Sequence, residues 1–237
     1  MGKIDILNGH MHHIFKKSEY EIQNARVVPN AEALRLKNNH GKSLTTTVLY
    51  IDLRGYSKLF KTKQYKTIGK IISAYHFFVG MLVKEWSGQI VSYMGDGILA
   101  VFEPKNSEKN AVRCAMQIKY YFDNFFKTIL NTNYAISDMS YGIGLANGDI
   151  MAIRTGTVAQ NDITWIASCV KDAVRIGDRL SGRIGITPSM FDMLPDNLRH
   201  GDMYKDRPMF MPYLPLKNEY WVFENDIYTT NYHIVFN

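Results

Sequence analysis

The chain has 237 residues, 46% of them hydrophobic and 21% charged, which is the balance of a globular protein and excludes a disordered one. Lysine and arginine outnumber aspartate and glutamate by 28 to 22; the resulting +6 favours an anionic ligand, but the basic residues are scattered and form no nucleic-acid-binding stripe. The two cysteines, Cys114 and Cys169, form no CxxC pair, which excludes a thiolate-ligated zinc site, and the lack of any run of eighteen apolar residues excludes a membrane-spanning helix.

Residues 1–43 read as an N-terminal extension, partly helical, with a weakly amphipathic segment over 32–37. Its histidines, His10, His12 and His13, lack a carboxylate or cysteine at ligand spacing and read as an exposed polar tail. No apolar stretch precedes a small-residue cleavage site, so the expected location is cytoplasmic. Residues 44–237 are expected to form the main domain. TTTVLYID, from Thr45, is β-branched and apolar, a buried strand. A polar turn, LRGYSKLF, precedes a helix over 66–86, where Ile68, Ile71, Ile72, Tyr75, Phe78, Val79, Leu82 and Val83 recur at helical spacing.

QIVSYM and GILAVF flank Gly95-Asp96 and predict a hairpin; residues 111–130 predict a second long helix. Asn147-Gly148 predicts another hairpin between strands at 139–145 and 149–153. Gly142, Gly144 and Gly148 lack GxGxxG spacing and read as packing glycines of that hairpin. Helices are expected over 165–180 and 188–194, and a closing strand over 219–223. Long helices between hairpins predict an α+β domain, a largely antiparallel sheet with helices packed on it.

Asp52 ends the buried strand and Asp96 sits at the tip of the first hairpin. Each alone reads as a turn-capping aspartate. If the strand lies beside the hairpin, the two converge into an oxygen-rich site suited to Mg²⁺ or Mn²⁺ with a triphosphate.

VLYIDLRGYSKL resembles the first metal-site strand of the class III nucleotidyl cyclases, and GQIVSYMGDGILAVF their second metal hairpin. YGIGLANGDI resembles the hairpin that follows, and ASCVKDAVRIGDRL the catalytic helix, in the right order from Thr45 to Leu180. The resemblance implies a ferredoxin-like cyclase fold. Asp52, Asp96 and the Leu53 carbonyl would hold two divalent ions, Mn²⁺ or Mg²⁺, while the backbone of Gly55, Tyr56 and Ser57 wraps the triphosphate. Arg175 would be the transition-state arginine. It further implies a homodimer whose sites combine metal ligands of one subunit with the arginine helix of the other.

Several positions distinguish the chain from the purine cyclases. Lys171 replaces the ribose-orienting asparagine, and Gly142 a phosphate-binding arginine whose role Arg54 or Lys217 is expected to take. Ser92 and Thr164 occupy the base-selecting positions, so the adenine-selecting lysine is missing. Tyr50 stands where phenylalanine is usual and adds a hydroxyl beside Asp52; it reads either as a base or ribose contact or as a core tyrosine. In these features the chain resembles the bacterial pyrimidine cyclases of Pycsar antiphage systems. That resemblance implies UTP as the favoured substrate and a cyclic nucleotide that reaches an effector. CTP, ATP with atypical base contacts, and a catalytically dead nucleotide sensor are the alternatives.

Overall fold

The computed structural model describes residues 2–16, 20–34, 40–157, 160–199, 211–212 and 227–230. The β-branched run from Thr45 lies inside a longer strand than predicted. In chain order, α1 (Lys3–Lys16) and β1 (Glu21–Asn24) come before β2 (His40–Arg54), and β1 pairs in parallel with the first residues of β2. Val28 is buried, and its amide donates to a Glu103 carboxylate oxygen at 3.0 Å, so residues assigned to the extension contribute to the core. Residues 31–34, at the start of the weakly amphipathic segment, form a turn, and residues 35–37 lie outside the described residues.

β2 is buried on both sides because helices cover both faces. Leu49, Ile51 and Leu53 face α3 (Tyr65–Glu85) and α4 (Ser107–Tyr121), while Val48 and Tyr50 face α6 (Ser168–Arg179). The LRGYSKLF turn contains a short helix, α2 (Tyr56–Thr62). In α3 the residues read from helical spacing are the buried ones, with Ile72 partly so. The predicted second helix runs through α4, a π-helical turn (Phe122–Phe126) and α5 (Lys127–Tyr134).

β3 (Gly88–Met94) and β4 (Gly97–Phe102) form the predicted hairpin, and β4 pairs with β2. β5 (Ser140–Gly156) is antiparallel to β2 along nearly its whole length, followed by β6 (Asn161–Ile166), α6, β7 (Arg183–Ile186), α7 (Pro188–Met193), α8 (Asp196–Arg199), β8 (Met211–Pro212) and β9 (Tyr228–Thr230). The order is β3-β4-β2-β5-β7-β9-β8, with β1 on β2 and β6 on β5. Only β1–β2 and β5–β7 pair in parallel among the described strands, so the sheet is the largely antiparallel one expected. No helix of the described residues is long and apolar enough to cross a membrane.

The hairpin expected at Asn147-Gly148 does not form. Both residues continue straight through β5 opposite Thr47 and Thr46, and neither takes the positive φ of a two-residue hairpin turn. The Asn147 side chain instead donates to the Thr47 hydroxyl at 2.9 Å, and a Cβ on Gly148 would come within 3.2 Å of Cys169 on α6. The chain turns later, after Gly156 (φ 113°), where Thr157 and Gln160 exchange backbone hydrogen bonds. Trp165 therefore belongs to β6, and the helix expected over 165–180 begins at Ser168. The closing strand expected over 219–223, like Lys217, lies outside the described residues.

Candidate active site

Asp52 lies near the end of β2, where β4 pairs alongside: Ile51 is opposite Ile98, which brings the Gly95-Asp96 turn next to Asp52. Gly95 takes φ 66°, the left-handed conformation that a tight hairpin turn needs. The convergence of the two aspartates is thus a product of strand pairing, and the charge of Asp96 acts on Asp52. Burial, and then the neighbouring Asp96, push the Asp52 carboxyl up to about 6, against the pull of Arg54. Asp96 is also raised, chiefly by burial, while its own amide and Arg54 pull the other way.

Arg54 shares the Asp52 face of β2, two residues on. Its Nη1 donates to Asp52 Oδ2 at 2.5 Å, its Nη2 to the Gly177 carbonyl at 2.5 Å, and its Nε to the Leu180 carbonyl at 3.0 Å. The guanidinium is therefore engaged with the carboxylate and the C-terminal end of α6, rather than held out for a phosphate.

Tyr50 is 7% exposed, its ring packed against Gly97 and Gly177, and its hydroxyl faces the negative charge of Asp178 on the last turn of α6. A ring so enclosed presents no face to a base; only the hydroxyl borders the carboxylates. Ser92, half-buried, lies in the same cross-strand row, opposite Leu99, which is opposite Tyr50. A bulge between Ile90 and Ser92 sets that register.

Gly55 (φ 89°) breaks from β2 into α2, so Tyr56 and Ser57 form the first turn of a helix and not a free loop. Thr164 is on β6 opposite Ile153, eleven residues along β5 from the partner of Asp52, and shares a 2.7 Å hydrogen bond with Thr155. Lys171 is exposed on α6, and Arg175 Nη2 donates to Asp172 Oδ1 at 2.8 Å. Within the described residues of one chain, Arg54 is a cation that bears on both Asp52 and Asp96.

Gly142 and Gly144 let α6 sit on β5. A Cβ at Gly142 would run into the Gly177 carbonyl and stand 2.5 Å from that of Leu180; one at Gly144 would run into the Ala173 carbonyl. Sequence reasoning did not identify Asp178, which adds negative charge beside the pair, or His76 of α3. The His76 ring packs at a tilt against Tyr93, centroids 4.5 Å apart, near the Asp96 turn, and burial lowers its pKa. No spacing marks His76, because the contact joins a helix to a hairpin distant in sequence.

The donor set fits divalent cations. Asp52 and Asp96 offer hard carboxylate oxygens with excess negative charge. Among the described residues no group of three or more His, Cys, Asp or Glu side chains surrounds one point. Such a site suits an ion that takes its remaining oxygens from backbone and substrate phosphates, as Mg²⁺ commonly does.

No protein-family model matches the chain. It is 26% identical to a uridylate cyclase of Burkholderia cepacia over 186 residues, 78% of this chain and 81% of that protein. It is 23% identical to a uridylate cyclase of Xanthomonas perforans over 201 residues, 84% of this chain and 87% of that one. Among solved structures it superposes on the adenylyl cyclase CyaB of P. aeruginosa with a TM-score of 0.65 and 16% identity, covering 80% of this chain and 93% of that one. The fold is that of the class III nucleotidyl cyclase domains.

Proposed function

We propose that the protein is a pyrimidine nucleotidyl cyclase that converts UTP to 3′,5′-cyclic UMP and pyrophosphate. The supporting observation is a paired, cation-seeking Asp52 and Asp96 at one end of a cyclase sheet, in a chain similar over 78% and 84% of its length to two uridylate cyclases. Asp52, Asp96 and the Leu53 carbonyl would hold two divalent ions, Mn²⁺ or Mg²⁺, which when bound supply Lewis acidity to the 3′-hydroxyl and the triphosphate.

The remaining work falls to the chain's own groups. The backbone of Gly55, Tyr56 and Ser57 lines the triphosphate. Arg175 stabilises charge gathering on the α-phosphate as the 3′-oxygen attacks and pyrophosphate leaves. Lys171 meets ribose or phosphate as a point charge, where an asparagine would offer an amide. Ser92 leaves room for a pyrimidine and the Tyr50 hydroxyl borders the ribose, while Thr164, distant from Asp52 along β5, would supply a second base contact only from the other subunit. Within one chain Arg175 is tied to Asp172 while Arg54 sits on the carboxylates, which favours a homodimer in which Arg175 serves the other subunit's pair. The cyclic product would then act as the second messenger of an antiphage effector.

Incubation of the protein with Mn²⁺ and each of ATP, GTP, CTP and UTP, with products identified by mass spectrometry, tests this. Cyclic UMP is the expected main product. Cyclic CMP or cyclic AMP would overturn the base assignment and keep the chemistry, and no product from any nucleotide would favour a sensor.

A further inference from the structure

Arg54 is unusual in where its three nitrogens go. One holds a carboxylate oxygen of Asp52; the other two hold the carbonyls of Gly177 and Leu180, at the end of α6. The fork geometry of a guanidinium allows this, and an ammonium cannot reproduce it. Gly142 makes the meeting possible, since a Cβ there would stand 3.1 Å from Nη2 and would collide with both carbonyl oxygens. Tyr50 adds a second contact between the same elements, its ring packed on Gly177. The last turn of α6 is therefore latched to the strand that carries Asp52.

We propose that Arg54 is a positioning residue: the resident counter-ion of the Asp52–Asp96 pair and, through the same guanidinium, the clamp on the helix that carries Lys171 and Arg175. This rests on the assignment of the two aspartates as metal ligands. Arg54 opposes an arriving divalent cation by its charge while fixing the helix that catalysis needs, so its two effects have opposite signs. Removing it leaves the carboxylate pair more negative and frees the last turn of α6. Damage to the fold alone would weaken metal binding and turnover together.

The test uses the full chain and two variants, Arg54→Gln and Arg54→Lys. Mn²⁺ affinity is measured without nucleotide from the free-ion electron paramagnetic resonance signal, amide exchange over residues 177–180 by mass spectrometry, and kcat and KM with UTP. For Arg54→Gln, Mn²⁺ should bind about threefold more tightly, exchange should quicken about tenfold, and kcat should fall at least about tenfold with KM little changed. Arg54→Lys should keep the wild-type Mn²⁺ affinity but show the faster exchange and the lower kcat. In the wild-type protein, Mn²⁺ alone should quicken exchange over the same residues, because it competes for the oxygen that Arg54 holds; this comparison needs no variant to fold.

Weaker Mn²⁺ binding in Arg54→Gln, or wild-type exchange that ignores Mn²⁺, would overturn the shared role. Failure of the wild-type protein to bind Mn²⁺ would overturn the counter-ion role together with the metal assignment. Loss of cyclase activity with intact Mn²⁺ binding and exchange response would touch only the proposed reaction.

Discussion

At the scale of single residues, the site stores unfavourable electrostatics that a bound cation relieves. Burial and the neighbouring Asp96 raise Asp52 to about 6 from 3.8, so the fold without metal is weakened by the charge it carries at neutral pH. The sign follows from linkage. Because the folded-state value lies above the unfolded one, the contribution to stability is fully present below about pH 4 and is lost as pH rises through about 6. Asp52→Asn should therefore raise the melting temperature of the metal-free protein at pH 7 by about 2–4 °C, on the order of 1 kcal/mol after solvent screening. That gain should shrink at pH 5, where the wild-type carboxyl already carries its proton. The same variant should lose the Mn²⁺-induced rise in melting temperature and lose turnover. Thermal denaturation at the two pH values, with and without Mn²⁺, measures the stability effects, and a product assay with UTP measures turnover; a metal-free variant less stable than wild type at pH 7 would remove the electrostatic explanation.

At the scale of elements, the close approach of α6 to β5 is set by glycines, and here the sequence was only partly legible. The buried strand, the Gly95-Asp96 hairpin and the periodic helix α3 announce themselves through local pattern, and the structure keeps them nearly as expected. Asn147-Gly148 carried a strong local turn signal and formed none, because a long partner strand, β2, kept β5 straight and α6 required a small residue at Gly148. Tertiary packing overrode local preference. Gly142 shows the same ambiguity: what read as a missing phosphate-binding arginine is a position where the Gly177 and Leu180 carbonyls leave no space for a side chain. Nor could one strand's sequence show that Arg54 spans to residues 177 and 180. Gly144→Ala should lift α6 from the sheet, costing about 1–3 kcal/mol in stability and lowering kcat about tenfold or more. Chemical denaturation and steady-state kinetics together check this; an alanine tolerated in both would mean that the helix does not need its close seat.

At the scale of the whole molecule, the parts of the chemistry are divided in a way that a single chain does not reconcile. The carboxylate pair sits beside Arg54, while Arg175 on α6 donates to Asp172. Two copies resolve this if each lends its α6 to the other's carboxylates, an arrangement that no reading of one sequence without the family resemblance would reach, since it depends on what a second chain supplies. Its consequence is quantitative. Asp52→Ala and Arg175→Ala should each be inactive alone, because every site in either homodimer lacks one necessary group. Mixed in equal amounts and allowed to exchange subunits, half the dimers are heterodimers. In each of these, one site carries both defects and the other carries none. The mixture should therefore recover about a quarter of wild-type activity, with independent sites and random exchange. If the groups instead acted within one chain, each subunit would keep its own defect and mixing would restore nothing.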